Sequence, residues 1–182
     1  PPVFGYKWTP EIRKSYRMVR CRDCGHVYAS PKLADMYAHY TDVADENYLR
    51  NEPLRKATAR EVLKTIRRHR PEGRLIDVGC STGDFLAVAR ESYDVEGLEL
   101  SGWASGIARD KGLRIHDKLL ADLVGERRRF DIATLWGVIE HLEAPLVEMR
   151  RLHRILEPGG IGCIWTGDVD SIYAKVFGAN WW

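Results

Sequence analysis

Several things are scarce in this 182-residue chain, and each scarcity narrows what it can be. No stretch approaches the ~18 consecutive apolar residues of a membrane-spanning helix, and no secretory signal opens the chain. Net charge is nearly absent: 28 Lys and Arg face 26 Asp and Glu, a formal +2. That balance argues against wholesale coating of nucleic acid, and the basic clusters at 67–70, 127–129 and 150–154 read as solvated helix faces and turns. Cysteine is sparse, with four residues. Two of them, Cys80 and Cys163, fall inside apolar stretches, so a disulfide framework is excluded and a reducing cytoplasm is the expected compartment. Repeats and low-complexity tracts are also lacking. The opening Pro1-Pro2 without Met is what a trimmed or processed start would leave.

What remains is a composition, 45% hydrophobic and 30% charged, that suits one globular domain with a small appendage. Ala59, Val62, Leu63 and Ile66 fall on one helical stripe that stops before Pro71. A core strand follows at 74–78, then a helix to about 91. Further strands are expected at 94–100 ("DVEGLEL"), 113–116 ("LRIH"), 130–136 ("FDIATLW") and in "IGCIWT". Ser101 is placed to N-cap the helix after the second strand, and Gly112 to end it. A helix after the fourth strand carries Leu146, Met149, Leu152 and Leu156, and "EPGG" turns the chain into the fifth strand. Strands alternating with helices predict a doubly wound α/β fold, a mostly parallel sheet covered on both faces.

In such a sheet ligands sit beyond the carboxyl ends of the strands. The first strand ends in Asp77, an acid costly to bury unless hydrogen-bonded. The turn Gly79-Cys80-Ser81-Thr82-Gly83 then offers bare backbone at a helix N-terminus. Glu99 ends the second strand about 20 residues after this loop, where a carboxylate can accept both hydroxyls of a ribose. In this order the signals point to a nucleoside-containing cofactor. The loop is G-x-x-x-G and does not match the G-x-G-x-x-G of dinucleotide sites.

"LIDVGCSTG", "VEGLELS", "FDIATLWGVIEHLEAP" and "ILEPGG", in that order, resemble the class I S-adenosylmethionine-dependent methyltransferases over roughly residues 55–167. The resemblance implies a Rossmann-like fold and S-adenosylmethionine as donor, with S-adenosylhomocysteine as product. It implies that Gly79, Cys80, Ser81 and Gly83 pack against the cofactor, that Asp77 orders the loop and that Glu99 holds the ribose. Leu100 would flank the adenine, Asp117 would meet its amino group, and Trp136 would line the methionine end. Ser81 stands where the family usually has its middle glycine. His141, in "IEHL", is the candidate general base, with a hydrogen-bonding support of its own loop as the competing role. A metal beside the acceptor, which some relatives hold on a Glu-x-x-Glu-His pattern, is not expected, because Gly137 replaces the first acid.

"RCRDCG" near the front has the spacing of a zinc knuckle, with Cys21 and Cys24 as two thiolate ligands and a glycine for the turn. His26 and His39 are further ligand candidates. The resemblance extends here to methyltransferases with an N-terminal zinc ribbon, whose first CxxC lies upstream of the one present. Tyr37, Tyr40 and Tyr48 follow, where relatives place a lid over the cofactor. Residues 1–50 are thus expected to form a knuckle and lid segment. Residues 51–182 would be the methyltransferase domain, lacking the C-terminal part of the usual seven-stranded sheet.

The expected activity is methyl transfer to a small molecule, a sugar or natural-product intermediate. Two other readings compete: an RNA methyltransferase, favoured by Lys7, Arg13, Lys14, Arg17, Arg20 and Arg22 among aromatics, and a non-catalytic cofactor-binding module. No membrane partner is expected.

Overall fold

Leu75, Ile76 and Val78 sit in a five-residue strand whose last four residues are all buried, so the apolar run is flanked on both faces. The computed structural model describes residues 18–30, 41 and 44–178. These form two compact units, residues 18–30 with 167–178, and residues 41 and 44–166.

Among the described residues, the first helices of the larger unit are α1 (Glu46–Arg50) and α2 (Glu52–His69). Alternation follows: β3 (Arg74–Val78), α3 (Asp84–Ala89), β4 (Asp94–Leu98), α4 (Gly102–Asp110), β5 (Arg114–His116), α5 (Leu120–Gly125), β6 (Phe130–Trp136), α6 (Pro145–Ile155) and β7 (Leu156–Trp165). The smaller unit contains the antiparallel hairpin of β1 (Met18–Arg20) and β2 (Val27–Ala29), and α7 (Ile172–Phe177). No helix among the described residues is long and apolar enough to cross a membrane.

The five strands of the larger unit are all parallel, in the order β5-β4-β3-β6-β7. This is the expected Rossmann-like sheet. Ala59, Leu63 and Ile66 of α2, with Phe85, Leu86 and Val88 of α3 and Ala108 of α4, cover the face carrying Leu75, Val95, Ile115 and Ile132. Leu120 and Leu123 of α5, with Leu152 and Ile155 of α6, cover the face carrying Ile76, Leu98, Ala133 and Leu135. Each fully buried aliphatic side chain contributes roughly 1.5–3 kcal/mol by leaving water. Helices cover both faces of β3, β4 and β6, while β7 at the sheet edge has no buried residue and exposes Ile164 and Trp165. The chain order reverses between β3 and β6, which puts the ligand crevice beyond Val78 and Trp136.

Ser101 caps α4 by accepting from the Ala104 amide at 3.1 Å, and Gly112 ends it with φ +74°. Three expectations at element ends change. The second strand closes at Leu98, freeing Glu99 and Leu100 for the loop. Leu156 belongs to β7 and not to the preceding helix. It pairs with Phe130 while Ile161 pairs with Ile132, so Glu157–Gly160 bulge outward inside the strand where a turn was expected. Helix α5 had no signal in the sequence, because six residues are too few to show a helical period.

Candidate cofactor site

The site is assembled at the carboxyl ends of β3, β4, β5 and β6. Asp77 is 1% exposed on β3 and accepts the Thr134 hydroxyl from β6 at 2.6 Å. Burial pushes its carboxyl up to about 7; the Thr134 hydrogen bond opposes this and the nearby Glu99 charge adds to it.

Beyond Val78 the backbone turns through three consecutive constraints. Gly79 and Gly83 have φ of +71° and +74°. A Cβ on Gly79 would stand 2.7 Å from Val138 Cγ2, and one on Gly83 2.4 Å from Leu113 Cδ1, so neither position admits a side chain. Ser81, between them, also has positive φ, +49°, despite its side chain. The amides of this loop are largely committed to the protein itself. Gly79 and Cys80 both donate to Leu98 O, at 2.8 and 3.0 Å, and Gly83 donates to Cys80 O at 2.9 Å. The Ser81 amide donates to Glu99 Oε2 at 2.8 Å, while Glu99 Oε1 accepts from the Ser101 amide at 2.8 Å.

This arrangement is the wrong one for a pyrophosphate. A diphosphate cradle needs several amides pointing at the ligand, and here four of the five loop residues spend theirs inside the chain. The Glu99 carboxylate, fixed against the loop, would repel phosphates and suits a neutral ribose.

Asp84, at the start of α3, is buried and fully countered. Arg55 Nε donates to it at 2.8 Å and Lys111 Nζ at 2.6 Å. Burial raises its carboxyl, but Lys111 and Arg55 outweigh that and hold it below the ordinary range. The Arg55 guanidinium lies 3.5 Å from the centre of the Tyr48 ring. Burial raises the Tyr48 phenol, which shares a hydrogen bond with the Ser81 side chain. Of the three tyrosines expected near the cofactor, Tyr48 therefore reaches the glycine loop. Tyr37, Tyr40 and His39 lie outside the described residues.

The remaining sequence candidates divide. Leu100 is half-buried directly after Glu99. Asp117 follows β5, next to the residue whose carbonyl pairs with the Glu99 amide (3.2 Å), and is held by Arg109 at 2.6 Å. Trp136 ends β6 with its ring 5.0 Å from that of Phe85. Its indole N–H is buried without a hydrogen-bond partner, as is the Thr82 hydroxyl in the loop. Two orphaned polar atoms beside a glycine turn are what a polar ligand would satisfy. Cys80 places its sulfur in the core toward Gly97, where an added Cβ would meet it at 2.5 Å. Burial raises its thiol well above the ordinary value.

His141 lies in a single 3-10 turn, 139–141, whose His141 amide donates to Val138 O at 3.0 Å. Burial lowers its imidazole below the ordinary value, opposed by Glu140, so the ring is neutral at pH 7.

The comparisons with known proteins agree with this geometry. A model described as "Methyltransferase domain" matches residues 48–182. The chain belongs to that family. The ubiquinone biosynthesis O-methyltransferase of Cereibacter sphaeroides is 30% identical over 117 residues, 59% of this chain and 47% of the relative. Among solved structures, the sugar N-methyltransferase KedS8 of Streptoalloteichus is 28% identical with TM-score 0.58, over 79% of this chain and 60% of that one. S-adenosylmethionine-bound CalS10, an amino pentose methyltransferase of Micromonospora echinaspora, is 28% identical with TM-score 0.55, over 70% and 58%. The chain spans between about two fifths and two thirds of the length of the curated relatives it matches. It is a methyltransferase domain of the S-adenosylmethionine-dependent class, and S-adenosylmethionine is the donor of that class.

Thr134, Thr82, Arg55 and Arg109 were not picked out from the sequence. Thr134 left a trace there, as a polar residue inside the apolar run "IATLW". Thr82 lies in the Gly79–Gly83 turn with no pattern to mark its hydroxyl, Arg109 reaches Ser105, Ile115 and Asp117 around the end of α4, and Arg55 meets Asp84 29 residues away.

The hairpin carries the other candidates. Cys21 and Cys24 flank its turn, which Gly25 closes with φ +74° and a hydrogen bond from its amide to Cys21 O at 3.1 Å. The Cys24 and Asp23 amides and the Cys24 thiol lower the Cys21 thiol, favouring the thiolate a metal needs. Among the described residues no third His, Cys, Asp or Glu joins them, and all four cysteines are free thiols. His26 stacks on Tyr28, with ring centroids 5.9 Å apart.

Proposed function

We propose that this chain carries out methyl transfer from S-adenosylmethionine to a small molecule of the sugar or natural-product class, in the cytoplasm. The observation that carries the donor assignment is Glu99. Both of its oxygens are fixed by backbone amides at 2.8 Å, which aims the carboxylate while leaving each oxygen a second lone pair for a ribose hydroxyl. The acceptor class is supported by the sugar methyltransferases KedS8 and CalS10 among the structural relatives.

In this reading Leu100 and Asp117 face the base, Glu99 the ribose, and the Gly79–Gly83 loop the methionine end. Trp136 and Thr82 offer their unpartnered donors there. The donor supplies an already activated methyl group, so the protein's task is alignment and exclusion of water. His141, neutral at pH 7, accepts the acceptor's proton. Calorimetry with S-adenosylhomocysteine and with NAD tests the reading. Binding of the first and not the second is expected; preference for NAD would sink it.

Cys21 and Cys24 are proposed as half of a zinc ribbon, which needs four ligands in a closed tetrahedral site. The paired, thiolate-favouring geometry of the turn supports this. Metal analysis of a protein that includes any sequence natural to it upstream of Pro1 should give about one zinc per chain. A metal-free protein of that length would rule the ribbon out.

A further inference from the structure

Asp117 is anchored to an unusual degree for a side chain that is 63% exposed. Arg109, near the end of α4, places one guanidinium nitrogen 2.6 Å from Asp117 Oδ1 and 3.1 Å from the Ile115 carbonyl. A second nitrogen donates to the Ser105 hydroxyl at 3.2 Å, one turn earlier on the same helix. Backbone and helix thus hold the guanidinium independently of Asp117, and it holds Asp117 in turn. As a stabilising device an exposed pair of this kind is worth little. Its effect is geometric: Oδ1 is occupied, and Oδ2 is left in a defined direction.

That direction matters because of where Asp117 stands. The Glu99 amide donates to the His116 carbonyl at 3.2 Å, so Asp117 is one residue beyond the last β4–β5 ladder contact. Adjacent strand ends are about 4.8 Å apart. A ribose held at Glu99 therefore has its base over the end of β5. A carboxylate oxygen is a pure acceptor, and it distinguishes a 6-amino group, which donates, from a 6-oxo group, which does not.

We propose that Arg109 is a positioning residue for base recognition: it fixes Asp117 so that the free oxygen reads the 6-amino group of the cofactor's purine. The inference rests on the proposed placement of the adenine at Asp117. The contact is partly exposed, so the selectivity it produces is modest, about tenfold for the adenine over the hypoxanthine cofactor.

The test is calorimetric binding of S-adenosylhomocysteine against S-inosylhomocysteine to the wild-type chain, Asp117→Asn, Arg109→Met and Arg109→Lys. The ratio of the two affinities is a readout that loss of packing alone would not move. Wild type is expected to prefer the adenine form about tenfold, with Asp117→Asn reducing the preference to near unity. Arg109→Met should reduce it to about threefold or less, with Asp117 still present but unheld. Arg109→Lys keeps the charge but cannot span Ile115 and Asp117 together, and should fall between. If Asp117→Asn keeps the wild-type ratio, the adenine placement fails and the inference fails with it. If Asp117→Asn loses the ratio while both folded Arg109 variants keep it, the placement stands and the role of Arg109 is overturned.

Discussion

Glu99 and Ser81, 18 residues apart in sequence, are joined by a 2.8 Å hydrogen bond from the Ser81 amide to the Glu99 carboxylate. The donor sits in a left-handed conformation, φ +49°, that a side chain disfavours. The acceptor ends its reach between two loops, since its other oxygen takes the Ser101 amide. One acid thus holds the glycine loop and the start of α4 in register, and does so from the position proposed for the ribose.

Glu99→Ala removes both roles. Two amides lose their partners and the ribose loses its acceptor, so affinity for S-adenosylhomocysteine should fall by about 1.5–3 kcal/mol. That corresponds to about 10–150-fold in Kd, measured by calorimetry. The melting temperature should fall as well. Undiminished affinity in a folded variant would remove Glu99 from the site.

At Ser81 the backbone, not the side chain, sets the tolerance. Ser81→Gly relieves the positive-φ strain but gives up the hydrogen bond with Tyr48 and stiffness of the unfolded chain, and the terms nearly cancel. Its melting temperature should match wild type within about 3 °C. Ser81→Val places a β-branched residue in the left-handed region and should melt about 4–8 °C lower. Equal melting of the Val and Gly variants would contradict the strained loop.

Asp77 makes stability depend on pH in an unusual direction for an acid. Its carboxyl is at about 7 in the folded chain against an ordinary 3.8, so the folded state binds the extra proton between those values. Stability therefore falls as pH rises from about 4 to about 7, by up to about 4 kcal/mol from this group. Asp77→Asn cannot ionise. The difference in unfolding free energy between variant and wild type, followed by denaturant titration, should grow in the variant's favour across that window. A pH-independent difference would show that Asp77 stays ionised when buried.

His141 is tested by kinetics. Its imidazole is held below 6.5 by burial, so the base form persists at neutral pH and the acid limb of turnover should lie below pH 6.5. His141→Ala should lower kcat about 100-fold or more, abolish that limb and leave cofactor affinity nearly unchanged. A parallel fall in affinity or melting temperature would assign the residue to supporting the turn at 139–141. Full turnover would exclude both roles.

The local chemistry of the chain was sufficient for its architecture. The alternation of apolar strands with amphipathic helices led to the parallel sheet, because strand and helix periods are written in adjacent residues. Ser101, Gly112 and the Gly79–Gly83 turn were legible for the same reason: caps and positive-φ turns demand particular residues at the position itself. The acids at the ends of β3 and β4, Asp77 and Glu99, pointed to a nucleoside-containing cofactor before any contact was known. Tertiary structure alone decided what those residues touch. Nothing near Asp77 in sequence announces that Thr134, 57 residues away, donates to it, or that burial carries its carboxyl to about 7. The same holds for Cys80, whose place in the glycine turn suggested a cofactor contact while packing sent its sulfur toward Gly97. The bulge at Glu157–Gly160 depends on a pairing with β6 that "EPGG" does not contain. Contacts between distant segments set burial, ionisation and side-chain direction, and only the folded sheet brings those segments together.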